Sequence, residues 1–210
     1  MTDTLSAAVT VFASTLITLI VIMDPPGAVP IFLALTARMT PTERAASALR
    51  ASIVALGVIA AFAVFGQRIL DYLHVSLAAL QGAGGLLLLL VALQLLTGQE
   101  SEAMADAGVN VAMVPLGTPL LAGPGAIVAM MLAVQQAGGA AGAAGYLAVG
   151  LALLATMLVV YVFLRFATVV RRVLRESGTM LATRIAGLLL SAIAVQMVAS
   201  AVRAFVTTGV

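Results

Sequence analysis

The sequence contains no cysteine, no tryptophan and no lysine, and its single histidine is His74. Without cysteine there are no disulfides, no thiol catalysis and no thiolate metal site. Without lysine there is no GxxxxGK phosphate loop, so no nucleotide-binding motif of that kind is present to power the protein. One histidine among scattered carboxylates makes neither a metal centre nor a catalytic set. No nucleophile–base pair is visible either, so an enzyme is not expected. Charge is scarce as well: 9% of the 210 residues are charged, against 63% hydrophobic.

That balance defines the class. No soluble domain of this size could hide so much apolar surface, which predicts an integral membrane protein with the lipid bilayer as its main partner. The apolar runs are continuous and lack the alternation of a barrel strand, so the spans are helical. All ten basic residues are arginines; eight gather at two connections, and Arg68 and Arg203 fall on the opposite side. Placed there, they orient a membrane protein rather than bind nucleic acid. Only Asp3 carries charge before the first apolar run, so no basic leader precedes it and the first segment is read as a retained span.

Six spans of roughly 20 residues are predicted, at about 8–36, 48–69, 76–97, 109–134, 143–166 and 185–206. At about 1.5 Å per residue, the 29 residues of the first would reach roughly 43 Å, against a bilayer core of about 30 Å. A chain break resolves the excess in the first and fourth spans, and both contain one. Pro26-Gly27-Ala28 in "IMDPPGAVPIF" and Pro124-Gly125-Ala126 in "LLAGPGAIVAM" stand 98 positions apart. Proline removes a backbone donor and clashes with the preceding turn, and glycine frees the chain further.

The repetition extends beyond that tripeptide. Residues 85–96, "GLLLLLVALQLL", align with 187–198, "GLLLSAIAVQMV", with six of twelve identical, including Gly85 with Gly187 and Gln94 with Gln196. The expected fold class is therefore an all-α membrane protein of six transmembrane helices, built as two three-helix repeats at 1–99 and 109–210 joined by a short acidic linker at 100–108. Three spans per copy is odd, so the copies are inverted across the membrane. Arg38, Arg44 and Arg50 flank one internal connection, and Arg165, Arg171, Arg172, Arg175 and Arg184 the other. The linker holds Glu100, Glu102 and Asp106 and no arginine. The positive-inside rule then places the Arg-rich loops in the cytoplasm and both termini outside.

Unwound backbone inside a membrane is tolerated where it is buried in protein or lines a wet cavity, and paired breaks mark a transporter's binding site. Asp24 is the one carboxylate well inside an apolar span. It can bind a substrate ammonium, hold a coupling cation or take up a proton, or it can act as the N-cap of the half-helix that follows. The amide ends near Gly27 and Gly125 can receive an anionic group, with Gly123 and Ala126 beside the second; alternatively the Pro-Gly pairs only kink helices for packing. Ala122 stands where the second copy would carry a partner for Asp24. One carboxylate and two amide ends would suit a small zwitterion. Gln94 and Gln196 line the pathway or bond between helices. Thr118 offers its hydroxyl to a ligand or reclaims a freed carbonyl.

The segments "DPPGAVPIFLALT" (24–36), "PLGTPLLAGPGAI" (115–127) and "RIAGLLL" (184–190) resemble the MarC family of bacterial inner-membrane proteins, grouped with six-span neutral amino acid transporters. The resemblance covers nearly the whole chain. It maps the family's two signature segments onto Asp24, Pro25, Pro26, Gly27 and Pro30, and onto Pro115, Pro119, Gly123, Pro124 and Gly125. It implies a secondary carrier for small neutral amino acids such as glycine or alanine, needing no cofactor and driven by a proton or sodium gradient. An exporter of drugs or other small solutes, and a non-transporting structural or regulatory subunit, are the alternative readings.

Overall fold

The computed structural model describes residues 2–97, 121–140 and 142–208. Helix α1 spans Thr2–Met23, α2 Pro25–Leu35, α3 Pro41–Leu73, α4 Leu77–Thr97, α5 Pro124–Ala140, α6 Gly142–Arg165 and α7 Ala167–Thr208. Five apolar stretches among the described residues are long enough to cross a membrane: Leu5–Val29, Pro41–Leu73, Leu77–Thr97, Gly142–Arg165 and Met180–Thr207. The fourth expected span contributes a shorter apolar helix, α5, and its residues 109–120 lie outside the described set, as does the 100–108 linker.

Local chemistry fixes the connections. Thr40 caps α3 through a reciprocal box: Glu43 N–H donates to Thr40 Oγ1 at 3.3 Å, and Thr40 N–H donates to Glu43 Oε2 at 2.8 Å. Pro41 follows at the first helical position, where a missing N–H costs nothing. Arg44 reaches back from α3 and donates from Nη2 to the Thr36 carbonyl at 3.0 Å, which ties the end of α2 to the start of α3. His74, the lone histidine, ends α3 in the left-handed region at φ 55, with Val75 N–H bonded to the Leu70 carbonyl. Ser76 Oγ then accepts from Ala79 N–H at 3.1 Å and starts α4.

The helices sort into two buried clusters. Leu19, Val29, Phe32, Ala55, Ile59, Leu121, Ala126, Val149, Val160 and Leu164 join α1, α2, α3, α5 and α6 in one. Leu88, Ala92, Leu95, Val128, Leu190, Ala194 and Met197 hold α4, α5 and α7 in the other. Three buried hydroxyls are satisfied locally: Thr36, Ser52 and Thr156 each donate to the carbonyl four residues back, at 2.7, 2.9 and 2.8 Å. Many large apolar side chains face outward, including Leu147 at 70% and Leu188 at 61% exposure. Only a lipid environment makes that surface tolerable.

One expectation is corrected. The Arg-rich stretch between the last two spans is not a loop. Phe166 makes a tight turn straight after α6, and α7 runs 42 residues, about 63 Å at 1.5 Å per residue. The membrane-length part begins at Met180, so Arg171 and Arg172 stand on a helical extension. That stretch has helix-forming residues and no proline, and charge alone does not break a helix.

Candidate functional site

The first break is a single residue. Asp24 alone separates α1 from α2 and takes φ 38, a left-handed conformation that aspartate adopts more readily than most residues. Its N–H still donates to the Ile20 carbonyl at 3.0 Å, and its carbonyl accepts from Ala28 N–H at 3.0 Å, so the backbone bends without losing registry on either side. Pro25 and Pro26 bring no N–H, which leaves the carbonyls of Val21 and Ile22 without their usual helical donors. That is the local reason the helix breaks here.

Asp24 is buried at 8% exposure, and its Oδ2 has no hydrogen-bond partner among the described residues. The Gly27 N–H engages the same carboxyl group, so Asp24 caps α2 while one oxygen stays uncommitted. Gly27 is required at this point: a Cβ there would run into the Asp24 carboxylate and stand 3.2 Å from Thr183 Oγ1 on α7. The hydroxyl of Thr183 therefore lies over the first break. Sequence reasoning missed it, because a threonine on a helix more often bonds its own backbone.

The second break is built differently. Leu121 and Ala122 are buried, and the Gly123 carbonyl accepts from Ala126 N–H at 3.0 Å and Ile127 N–H at 3.2 Å. Gly123 has no side chain with which to cap α5. A Cβ on Gly125 would drive into Leu88 of α4, so this glycine exists for close approach. Ala28 and Ala126, the alanines following the two Pro-Gly pairs, are both buried. The breaks share a buried cluster, since Met23, Ala28, Val29, Leu121, Ala122 and Ala126 all belong to it. Each half-helix nevertheless lies on its own neighbours: α2 packs against α6 and α7, and α5 against α1, α3, α4 and α6.

The remaining candidates separate. Gln196 lines a cavity of about 580 Å³ bounded by α1, α4, α5 and α7. Gln94 is exposed and stands outside that cavity. Thr118, with Pro115 and Pro119, lies outside the described residues. The cavity also brings in Thr15, Thr18, Gln81 and Gln136, which sequence reasoning passed over. Their one signal was polarity inside apolar runs, and the repeat alignment drew notice only to the glutamines it paired.

A bundle of apolar helices, broken at a buried carboxylate beside a cavity of mixed polar and apolar lining, defines a multi-span helical membrane protein. The chain belongs to the MarC family: the family model described as "MarC family integral membrane protein" matches residues 9–206. It is similar to the UPF0056 membrane protein MJ1677 of Methanocaldococcus jannaschii, 38% identical over 189 residues that cover 87% of this chain and 91% of the relative. The UPF0056 membrane protein YvbG of Bacillus subtilis is 31% identical over 196 residues, covering 89% of this chain and 92% of its own. The UPF0056 inner membrane protein YhgN of Escherichia coli K12 is 31% identical over 192 residues, covering 90% and 95%. No solved structure matches the chain significantly.

Proposed function

We propose that this protein is a secondary carrier that moves small neutral amino acids, of glycine or alanine size, across the inner membrane by alternating access. Its substrate meets the broken helices: the amide end of α5 beside Gly123 and Gly125 receives the carboxylate, and Asp24 receives the ammonium or a coupling H+ or Na+. The reading needs no other cofactor and no bond-breaking chemistry. Asp24 carries it. A buried carboxylate with a free oxygen, at the break of an apolar helix, is costly and calls for a cationic or protonic partner.

The architecture of this reading is six spans in two inverted repeats, with the arginine-rich connections in the cytoplasm and both termini outside. Helix packing supports it. The first repeat's half-helix α2 packs on α6 and α7, and α5 packs on their counterparts α3 and α4. The name of the Escherichia coli relative, an inner membrane protein, supports the location. Purified protein in liposomes, given labelled glycine or alanine under an imposed proton or sodium gradient, tests the function. Gradient-dependent uptake is expected. Absence of flux for every amino acid in a panel would leave a non-transporting membrane subunit.

A further inference from the structure

The cavity bounded by α1, α4, α5 and α7 has a chemistry of its own, apart from the two breaks. Among the described residues its walls carry Thr15, Thr18, Gln81, Gln136, Gln196 and Ser200, and no charged side chain. Only Gln196 and Ser200 bond each other, at 3.4 Å. Among the described residues no side-chain hydrogen bond engages Thr15, Thr18, Gln81 or Gln136; the polar atoms of Thr15, Thr18 and Gln81 are not sealed off, and Gln136 is exposed. Hydroxyl and carboxamide groups left in hydrocarbon without a hydrogen-bond partner are costly. Four such groups share one space of about 580 Å³, and water in that space would meet their hydrogen-bonding demand.

Its position follows from helix direction. Gly85 of α4 meets Val198 of α7 and Gly187 meets Leu95, so the two helices run antiparallel. Gln81, near the start of α4, thus stands level with Gln196 and Ser200, late in α7. Thr15 and Thr18 lie ahead of the Asp24 break on α1, and Gln136 lies near the end of α5. All lie toward the end of the bundle that carries the amino terminus. The lining residues Leu19 and Met197 are buried and tie the cavity wall to the two apolar clusters.

We infer that this cavity is a hydrated vestibule on the amino-terminal face that binds uncharged hydrogen-bonding groups and turns away ions. A wall of neutral donors and acceptors replaces the hydration of an amide, an alcohol or a net-neutral solute. It offers no counter-charge to an ion that has shed its water. As the approach to the Asp24 break, the vestibule rests on the carrier reading; as a wet, charge-excluding cavity, it does not.

The absence of cysteine gives a direct test. The full chain is placed in lipid nanodiscs as single variants Thr18→Cys, Gln136→Cys and Gln196→Cys, with lipid-facing Leu154→Cys and Leu188→Cys for comparison. Each is treated with a neutral hydroxyethyl methanethiosulfonate and with its cationic and anionic analogues. Rates are normalised to those of Tyr72→Cys, whose parent residue is 83% exposed. Apolar surroundings suppress the reactive thiolate about tenfold per unit of raised pKa. The vestibule variants are expected to react with the neutral reagent at least about tenfold faster than the lipid-facing pair, and with both charged reagents several-fold more slowly than with the neutral one. Rates equal to the lipid-facing pair overturn the vestibule, and equal rates for all three reagents overturn its selectivity. Fast neutral labelling without any amino acid flux would leave the vestibule standing and remove the carrier reading instead.

Discussion

Gly85 and Gly187 meet the opposing helix through corresponding neighbours. A Cβ on Gly85 would stand 2.8 Å from Val198 Cγ2, 2.9 Å from the Ala194 carbonyl oxygen and 3.1 Å from Met197 Cβ. On Gly187 it would stand 3.1 Å from Leu95 Cβ, 3.2 Å from Leu96 Cγ and 3.3 Å from the Ala92 carbonyl oxygen. Each of the three partners, like the glycines, differs from its counterpart by 102 positions, the offset that aligns the two segments in sequence. A two-fold axis between α4 and α7 would produce this correspondence, and it supports the inverted-repeat reading.

The distances also rank the two positions. At Gly85 a methyl group meets a backbone carbonyl at 2.9 Å, which cannot rotate away, whereas the approaches at Gly187 are longer. Overpacking of this kind costs about 1–3 kcal/mol. Gly85→Ala is expected to lower the thermal midpoint in detergent clearly, and Gly187→Ala less. Gly150→Ala, with nothing within 4 Å of its new methyl, should be neutral or stabilising.

Gly125→Ala should destabilise the protein through Leu88, a buried side chain at 3% exposure. Because the clash is with a side chain, shortening that side chain relieves it. The double variant Gly125→Ala/Leu88→Val is expected to unfold at a higher temperature than Gly125→Ala alone. Strict additivity of the two losses would show that the clash is not the cause.

Asp24 combines a cap with a charge, and two substitutions separate them. Asp24→Asn keeps an oxygen for the Gly27 N–H, so its stability should stay near that of the parent. Asp24→Ala loses the cap, at about 0.5–2 kcal/mol. Gradient-driven uptake should fall in both. Unchanged transport and unchanged ion dependence in Asp24→Asn would reduce this residue to a cap.

At the start of α3, Thr40→Ala removes the reciprocal bonds with Glu43 and should cost about 1 kcal/mol. The box lies at a helix end outside the apolar core. Thermal unfolding is therefore expected to shift while glycine uptake per folded molecule does not.

Much of the fold is legible in the sequence. Continuous apolar runs marked the spans, and proline following Asp24 marked the first break, because both signals act locally on the backbone. The extension of α7 through Arg171 and Arg172 was not legible, since charged residues read as a loop in a membrane protein although they suit a helix equally well. The site was legible only in part. Asp24, Gly27 and Gly125 stood out as exceptions within apolar sequence. Thr183 and the cavity residues Thr15, Thr18, Gln81 and Gln136 depend on which helices meet, and a helical period does not reveal a partner. Gln94 and Gln196 make the same point: both are exposed, yet only Gln196 borders the cavity, and the sequence pairing of the two does not reveal this.

Counterflow tests the central claim most directly, because it detects an alternating site without any ion gradient. Liposomes containing the protein are loaded with unlabelled glycine and diluted into a trace of labelled glycine. A carrier with one site that faces each side in turn predicts a transient overshoot of label inside the liposomes, absent from protein-free liposomes. Label that only equilibrates, with protein and protein-free liposomes indistinguishable, would contradict the account.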